Sequence, residues 1–194
     1  MNNNYSVGNI QPEWNDGMAQ TLTFIVTEDC NLRCKYCYVT HKSKNKVMKL
    51  ETAIKFIDYI LEDTKLIKSE AVILDFIGGE PLLEASLIDQ ICDYFKTKTY
   101  KLRNQWYWNY KISISTNGVN YSDPCVQNLI LKNEGKISIG ITIDGIKEKH
   151  DLQRVFFYLL CLYDIVYNNV KLWLEQFEGS TKVTFSSDDL IYLK

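Results

Sequence analysis

The chain has 194 residues, of which 46% are hydrophobic and 24% charged, with a net charge of −2. Those values exclude a disordered or fibrous chain, and the near-neutral balance carries no electrostatic footprint for nucleic acid. The longest apolar run, Val155 to Tyr163, falls far short of the roughly 20 residues that span a bilayer, and the polar start Met1-Asn2-Asn3-Asn4 is no secretory signal. We therefore expect a cytoplasmic protein with no membrane partner, built around one core.

Residues 1–20 read as an N-terminal extension. The first strand is expected over Thr21–Thr27, where apolar and polar residues alternate. Cys30, Cys34 and Cys37 follow at once in a C-x-x-x-C-x-x-C spacing. They stand just past a strand's carboxyl end, the rim where α/β folds gather ligands. Three thiolates without a fourth partner can hold three corners of an iron–sulfur cluster and leave one iron open, whereas ferredoxin-type clusters use four cysteines. On spacing alone, a zinc site completed by His41 or three packed, incidental thiols stay open as alternatives. The lysines that follow (Lys42, Lys44, Lys46, Lys49) read as a solvated loop.

Helical spacing predicts a helix over Leu50–Thr64. Ala71–Ile77 is a short apolar run that reads as a buried strand, closed by Gly78-Gly79-Glu80-Pro81. Bare glycine backbone lets a ligand approach closely, and the Glu80 carboxylate can accept hydrogen bonds from an ammonium group. A plain turn is the other reading. A helix over Leu83–Lys98 leads to the alternating strand Lys111–Thr116, which stops at Asn117-Gly118. Cys125–Asn133 gives a short helix, Lys136–Ile143 a strand closed by Asp144-Gly145, Leu162–Phe177 a helix, and Thr181–Phe185 a last strand. Asn-Gly and Asp-Gly often mark hairpins, but helical segments follow both here, so they read as strand-to-helix loops. Alternating strands and helices call for parallel βα units with right-handed crossovers, about five of them. Cys92, Cys125 and Cys161 are scattered over predicted helices and read as buried or incidental.

The run Glu28 to Tyr38, with aromatic Tyr36 just before the third cysteine, strongly resembles the cluster loop of the radical S-adenosylmethionine (radical SAM) enzymes. Gly78-Gly79-Glu80-Pro81 resembles that family's GGEP motif, and Ser115-Thr116-Asn117-Gly118 its TNG segment. Thr142-Ile143-Asp144-Gly145, with His150-Asp151 and Arg154, resembles the S-I-D-G…H-D…R stretch of its peptide- and protein-modifying members; threonine replaces serine and retains the hydroxyl. The resemblance implies an α/β partial (β/α) barrel of parallel strands over residues 21–194, one βα unit short of the family's six. It implies a [4Fe–4S] cluster on Cys30, Cys34 and Cys37, and S-adenosylmethionine (SAM) on the open iron, reductively cleaved to a 5′-deoxyadenosyl radical. Tyr36 would pack near the adenine, Gly78, Gly79 and Glu80 would hold the amino group, Asn117 would line the pocket, and Thr142 and Arg154 would contact the cofactor. His150 is expected to be structural, and no catalytic acid or base is assigned.

The resemblance looks closest to SPASM-type maturases of ribosomally made peptides, with the group acting on CXXX-repeat targets as one candidate. It implies a peptide substrate and an electron donor such as a flavodoxin or ferredoxin. No C-terminal cysteine-rich SPASM or twitch domain and no leader-binding domain is read in the chain. The stretch Val155–Leu162 is dense in Phe, Tyr and Leu where a polar loop is expected. With the early stop at Lys194 it suggests a truncated chain, whose alternative role is an inactive remnant or a cluster-binding module; a cover for the barrel edge or a partner surface is the rival reading of the aromatics.

Overall fold

The computed structural model describes residues 19–155, 162–177 and 181–184. Its sheet has four strands in the order β1-β2-β3-β4: β1 (Ala19–Thr27), β2 (Ala71–Gly78), β3 (Tyr110–Thr116) and β4 (Ile137–Ile141). Every neighbouring pair is parallel. Between and after them lie α1 (Leu50–Glu62), α2 (Ala85–Lys101), α3 (Pro124–Lys132), α4 (Lys147–Gln153) and α5 (Leu162–Gln176). Parallel strands need a crossover at each step, and α1, α2 and α3 supply them.

Burial explains the strand patterns. β1 is an edge strand, with Leu22, Phe24 and Val26 buried and Thr21, Thr23 and Ile25 exposed. β2 lies inside the sheet and buries Ala71 through Leu74 without alternation, as a strand covered on both faces must. Register places Phe24 beside Phe76 and Ile114 beside Ile139, and the two Phe rings stack with centroids 5.2 Å apart. Trp106 and Trp173 are fully buried, and each satisfies its indole N–H on a backbone carbonyl, Ser69 and Ile139 respectively, at 2.9 Å; a buried indole without an acceptor would lose much of what its area gains.

The expected α/β parallel architecture is the observed one, with three corrections. β4 stops at Ile141 rather than Ile143. The strand expected over Thr181–Phe185 is represented, among the described residues, by one parallel bridge from Thr142 to Lys182. It is closed by Ile143 N–H to Lys182 O and Lys182 N–H to Ile141 O, both at 2.9 Å, at the position a fifth strand occupies. Helix α4 was not expected, because Lys-Glu-Lys-His-Asp-Leu-Gln carries no apolar stripe for a periodicity argument to find. Gly118 (φ 80°) and Gly145 (φ 71°) adopt left-handed backbone and lead into α3 and α4, so neither Asn-Gly nor Asp-Gly makes a hairpin. Most of the proposed extension 1–20 and most of the aromatic stretch 155–163 lie outside the described residues. Among the described residues no helix is long and apolar enough to cross a membrane.

Candidate functional site

The loops after β1, β2, β3 and β4 meet at the carboxyl rim of the sheet. Cys30 is buried, while Cys34 and Cys37 are partly exposed. The loop carrying them is held by its backbone: Arg33 N–H donates to Val155 O at 2.8 Å and Lys35 N–H to Gln153 O at 2.9 Å. Side chains add to this, with Arg33 Nη1 on Cys30 O and Lys42 Nζ on Leu32 O, both at 2.5 Å. Burial pushes the thiols of Cys30 and Cys34 above their ordinary values. For Cys30 the Leu32 amide and Lys42 work against burial, and for Cys34 the charges of Arg154 and Lys42 do so. Nearby cations of this kind favour the thiolate, which is the metal-binding form.

Three soft sulfur donors in one loop suit iron–sulfur ligation. Among the described residues no three His, Cys, Asp or Glu side chains converge on a single-ion site, and His41 is exposed. A cubane asks for something different: each thiolate takes its own iron, so the sulfurs stand around a cluster rather than around one ion.

Gly78 and Gly79 are required by the chain's own approach. A Cβ on Gly78 would lie 2.3 Å from Thr27 O, and one on Gly79 would lie 2.1 Å from Asp29 O. The Gly79 amide donates to Thr27 O at 2.9 Å and the Glu80 amide to Asp29 O at 2.8 Å. The end of β2 therefore seats directly on the entrance of the cysteine loop. The amides of Gly79 and Glu80 are thus both engaged within the protein.

Glu80 is buried and its carboxylate is already bonded three ways. Oε1 accepts from Thr116 Oγ1 at 2.6 Å and Leu82 N–H at 3.1 Å, and Oε2 from Asn117 N–H at 2.8 Å. Burial still outweighs these donors and pushes its carboxyl above the usual range. Asn117 in turn directs its side-chain amide to Asn31 Oδ1 at 2.7 Å and towards Cys30 Sγ at 3.8 Å. The residues of the second and third loops are thus bonded to each other and to the cysteine loop.

A second group forms around Asp144, the acidic residue of the Thr142-Ile143-Asp144-Gly145 stretch. Its Oδ2 accepts from Arg154 Nε at 2.7 Å and from the Tyr36 hydroxyl at 2.5 Å, and its Oδ1 from Thr184 N–H at 3.0 Å. The Arg154 guanidinium lies 5.6 Å from the centroid of the Tyr36 ring. Burial alone would raise the Asp144 carboxyl, but the Arg154 charge and the donated hydrogen bonds outweigh it and hold it below its ordinary value. Burial and the bond to Asp144 both push the Tyr36 phenol up, so it stays a donor. Thr142 stands on the same rim, its amide bonded to Thr116 O at 3.0 Å. No sequence pattern marks Asp144 as a hub, because its partners lie 10, 40 and 108 residues away.

His150 is fully buried. Its Nδ1 accepts from the Asp144 amide at 3.1 Å, which leaves Nε2 as the protonated nitrogen, without a hydrogen-bond partner among the described residues. Burial, helped by the Arg154 charge, lowers its pKa to about 4. The unfolded chain takes up a proton near the ordinary histidine value of about 6.5 and the folded chain does not. Stability must therefore fall as pH drops from about 6.5 towards 4, by on the order of 3 kcal/mol over the whole window. Urea midpoints measured across that range should lose this slope in His150→Gln; equal slopes in both proteins would contradict the assignment.

Residues 16–145, more than half of the chain, match the 4Fe-4S single cluster domain. The chain belongs to that family. Among the relatives of this 4Fe-4S domain, an uncharacterised protein of Methanocaldococcus jannaschii is 37% identical over 141 residues, which cover 73% of this chain and 43% of the relative. A cysteine-type anaerobic sulfatase-maturating enzyme of Clostridium perfringens is 32% identical over 131 residues, covering 64% and 32%. The solved structure of native anSMEcpe with bound AdoMet and the Cp18Cys peptide superposes on 90% of this chain and 45% of that one, with a TM-score of 0.73 at 23% identity. That likeness establishes the fold. The chain spans less than half the length of these relatives. The radical SAM resemblance read from the motifs therefore holds for the 4Fe-4S domain, whose relatives include a radical SAM cyclopropyl synthase of Paramaledivibacter caminithermalis, 27% identical over 91 residues. The family's description names the 4Fe-4S cluster, and AdoMet is the ligand bound in the solved relative.

Proposed function

We propose that this 4Fe-4S domain is the catalytic core of a radical SAM enzyme acting on a peptide. The observation that carries the proposal is the convergence of four strand-end loops on the three cysteines, with Asn117 bonded towards Cys30 and Arg154 bonded to Asp144 together with Tyr36 of the cysteine loop. A peptide substrate is favoured by the peptide bound in anSMEcpe and by the sulfatase-maturating relative, and SPASM-type maturases are the branch that both suggest. A small electron-transfer protein, a flavodoxin or ferredoxin, would be the reductant.

Cys30, Cys34 and Cys37 would hold the [4Fe–4S] cluster. When bound, that cluster supplies the electron for reductive cleavage of SAM. The remaining work belongs to the protein. Lys42 and Arg154 offset the charge that three thiolates bring into a half-buried loop. The carbonyl edge at Gly78 and Gly79 would receive the amino group of SAM. Arg154, fixed through Nε by Asp144, would turn the rest of its guanidinium to the carboxylate, a geometry its planar fork suits. Thr142 would contribute its hydroxyl, and Tyr36 would pack near the adenine.

Anaerobic reconstitution with iron and sulfide, followed by EPR of the reduced protein, tests this reading. A [4Fe–4S]⁺ signal that changes on adding SAM is the expected result. A signal indifferent to SAM would leave a cluster-binding module, and no cluster at all would reject the proposal.

A further inference from the structure

We propose that Asn117, beyond lining the site, sets the reduction potential of the cluster by donating a hydrogen bond to the Cys30 sulfur, and that a run of side-chain amides ending at Asp123 keeps it aimed there. The inference rests on the cluster assignment made above and adds a positioning residue to it.

Geometry fixes which way the Asn117 amide points. Its oxygen accepts from Val119 N–H at 3.0 Å, a local turn that asparagine favours. The NH₂ group must then face the other way, where it has two acceptors for its two hydrogens: Asn31 Oδ1 at 2.7 Å and Cys30 Sγ at 3.8 Å. Because Asn31 Oδ1 is an acceptor here, its own NH₂ turns outward to Asn120 Oδ1 at 2.7 Å, and Asn120 Nδ2 donates to Asp123 Oδ2 at 2.7 Å. An ionised carboxylate only accepts, so Asp123 sets the polarity of the whole run. A flip of any one amide would bring oxygen against oxygen or NH₂ against NH₂.

The chemistry follows from charge. Reduction adds an electron to the cluster, and part of that negative charge falls on the ligand sulfurs. A donor aimed at a sulfur stabilises the reduced state more than the oxidised one and raises the potential. Asn117 is buried, where such a bond is screened little. The Leu32 amide, 3.3 Å from the same sulfur, is a backbone donor that no side-chain change removes, so Asn117 is the adjustable one. Glu80 is bonded to the Asn117 backbone amide, which holds the residue in place whichever side chain it carries.

EPR-monitored redox titration of the reconstituted protein without SAM decides the matter. Asn117→Leu keeps the branching and removes both donors, so its potential should be more negative than wild type. Asn117→Asp replaces the donor by an acceptor and should move it further the same way. Asp123→Ala lies at the exposed end of the run, where Asp123 makes no side-chain cap to α3; it should shift the potential in the same direction by less. Exchangeable-proton couplings to the cluster should weaken in both Asn117 variants. Wild-type potentials and couplings in Asn117 variants that hold a full cluster would overturn the proposal. If those variants hold no cluster, an unchanged potential in Asp123→Ala would overturn it. A wild-type protein that takes up no cluster would instead reject the functional reading itself.

Discussion

Replacing Cys34 with serine should abolish cluster assembly and, with it, formation of 5′-deoxyadenosine from SAM under reducing conditions. A cubane with one open iron has only three protein ligands, so losing one leaves two irons without protein thiolate, and a serine hydroxyl is a poor substitute for a soft donor. The expected loss is at least about 10²-fold in product, beyond the effect usual for residues that merely support a ligand. The comparison variants sharpen the result. His41→Ala should keep full cluster content, because His41 is exposed; a zinc site completed by that histidine would lose its metal. Cys92→Ala should also keep it. Cys92 is buried in α2, and burial pushes its thiol up to about 12, so it remains a protonated apolar side chain in the core. Iron and sulfide analysis with product quantification checks all three, and 5′-deoxyadenosine at wild-type levels from Cys34→Ser would refute the ligand role.

Asp144→Ala should cost the fold about 3–5 kcal/mol, the range seen when one partner of a buried ion pair is removed. Asp144 is fully buried and Arg154 nearly so, and the change leaves a guanidinium without its counter-charge. The same substitution removes the acceptor from the Tyr36 hydroxyl and from the Thr184 amide, which unties the cysteine loop and the residues beside Thr142 together. Adding Arg154→Met to the Asp144→Ala background should recover part of the loss, because most of the cost lies in the stranded charge rather than in the missing contact. Urea unfolding of the wild type, both single variants and the double variant measures this. A loss below about 1 kcal/mol in Asp144→Ala, the level of an exposed pair, would remove Asp144 from the centre of the site.

Much of the architecture was legible in the sequence, for a local reason. The alternation at Leu22, Phe24 and Val26, the unbroken apolar run Ala71–Leu74, and the 3.6-residue spacing of Ile57, Ile60 and Leu61 in α1 are patterns that burial on a sheet or helix face imposes directly. The cysteine spacing and Gly78-Gly79-Glu80-Pro81 are likewise contiguous, so they could be seen without knowing how the chain folds. Helix α4 could not, because Lys147–Gln153 is polar and its formation depends on what packs beside it.

The sequence by itself determined that the strands are parallel and joined by helices, and on which rim the motif loops emerge, since alternating strands and helices call for right-handed βα units. It also determined that three thiols share one loop. Only the tertiary structure decided what the other rim residues do there. Gly78 and Gly79 prove necessary because β2 ends against the backbone of Thr27 and Asp29. Glu80 is bonded to Thr116 and Asn117, 36 and 37 residues away, and Asp144 joins Tyr36 to Arg154 across more than a hundred residues of chain. Local sequence encodes periodicity and turn chemistry, whereas the partner of a buried charge is chosen by whichever distant segment the fold brings within about 3 Å of it.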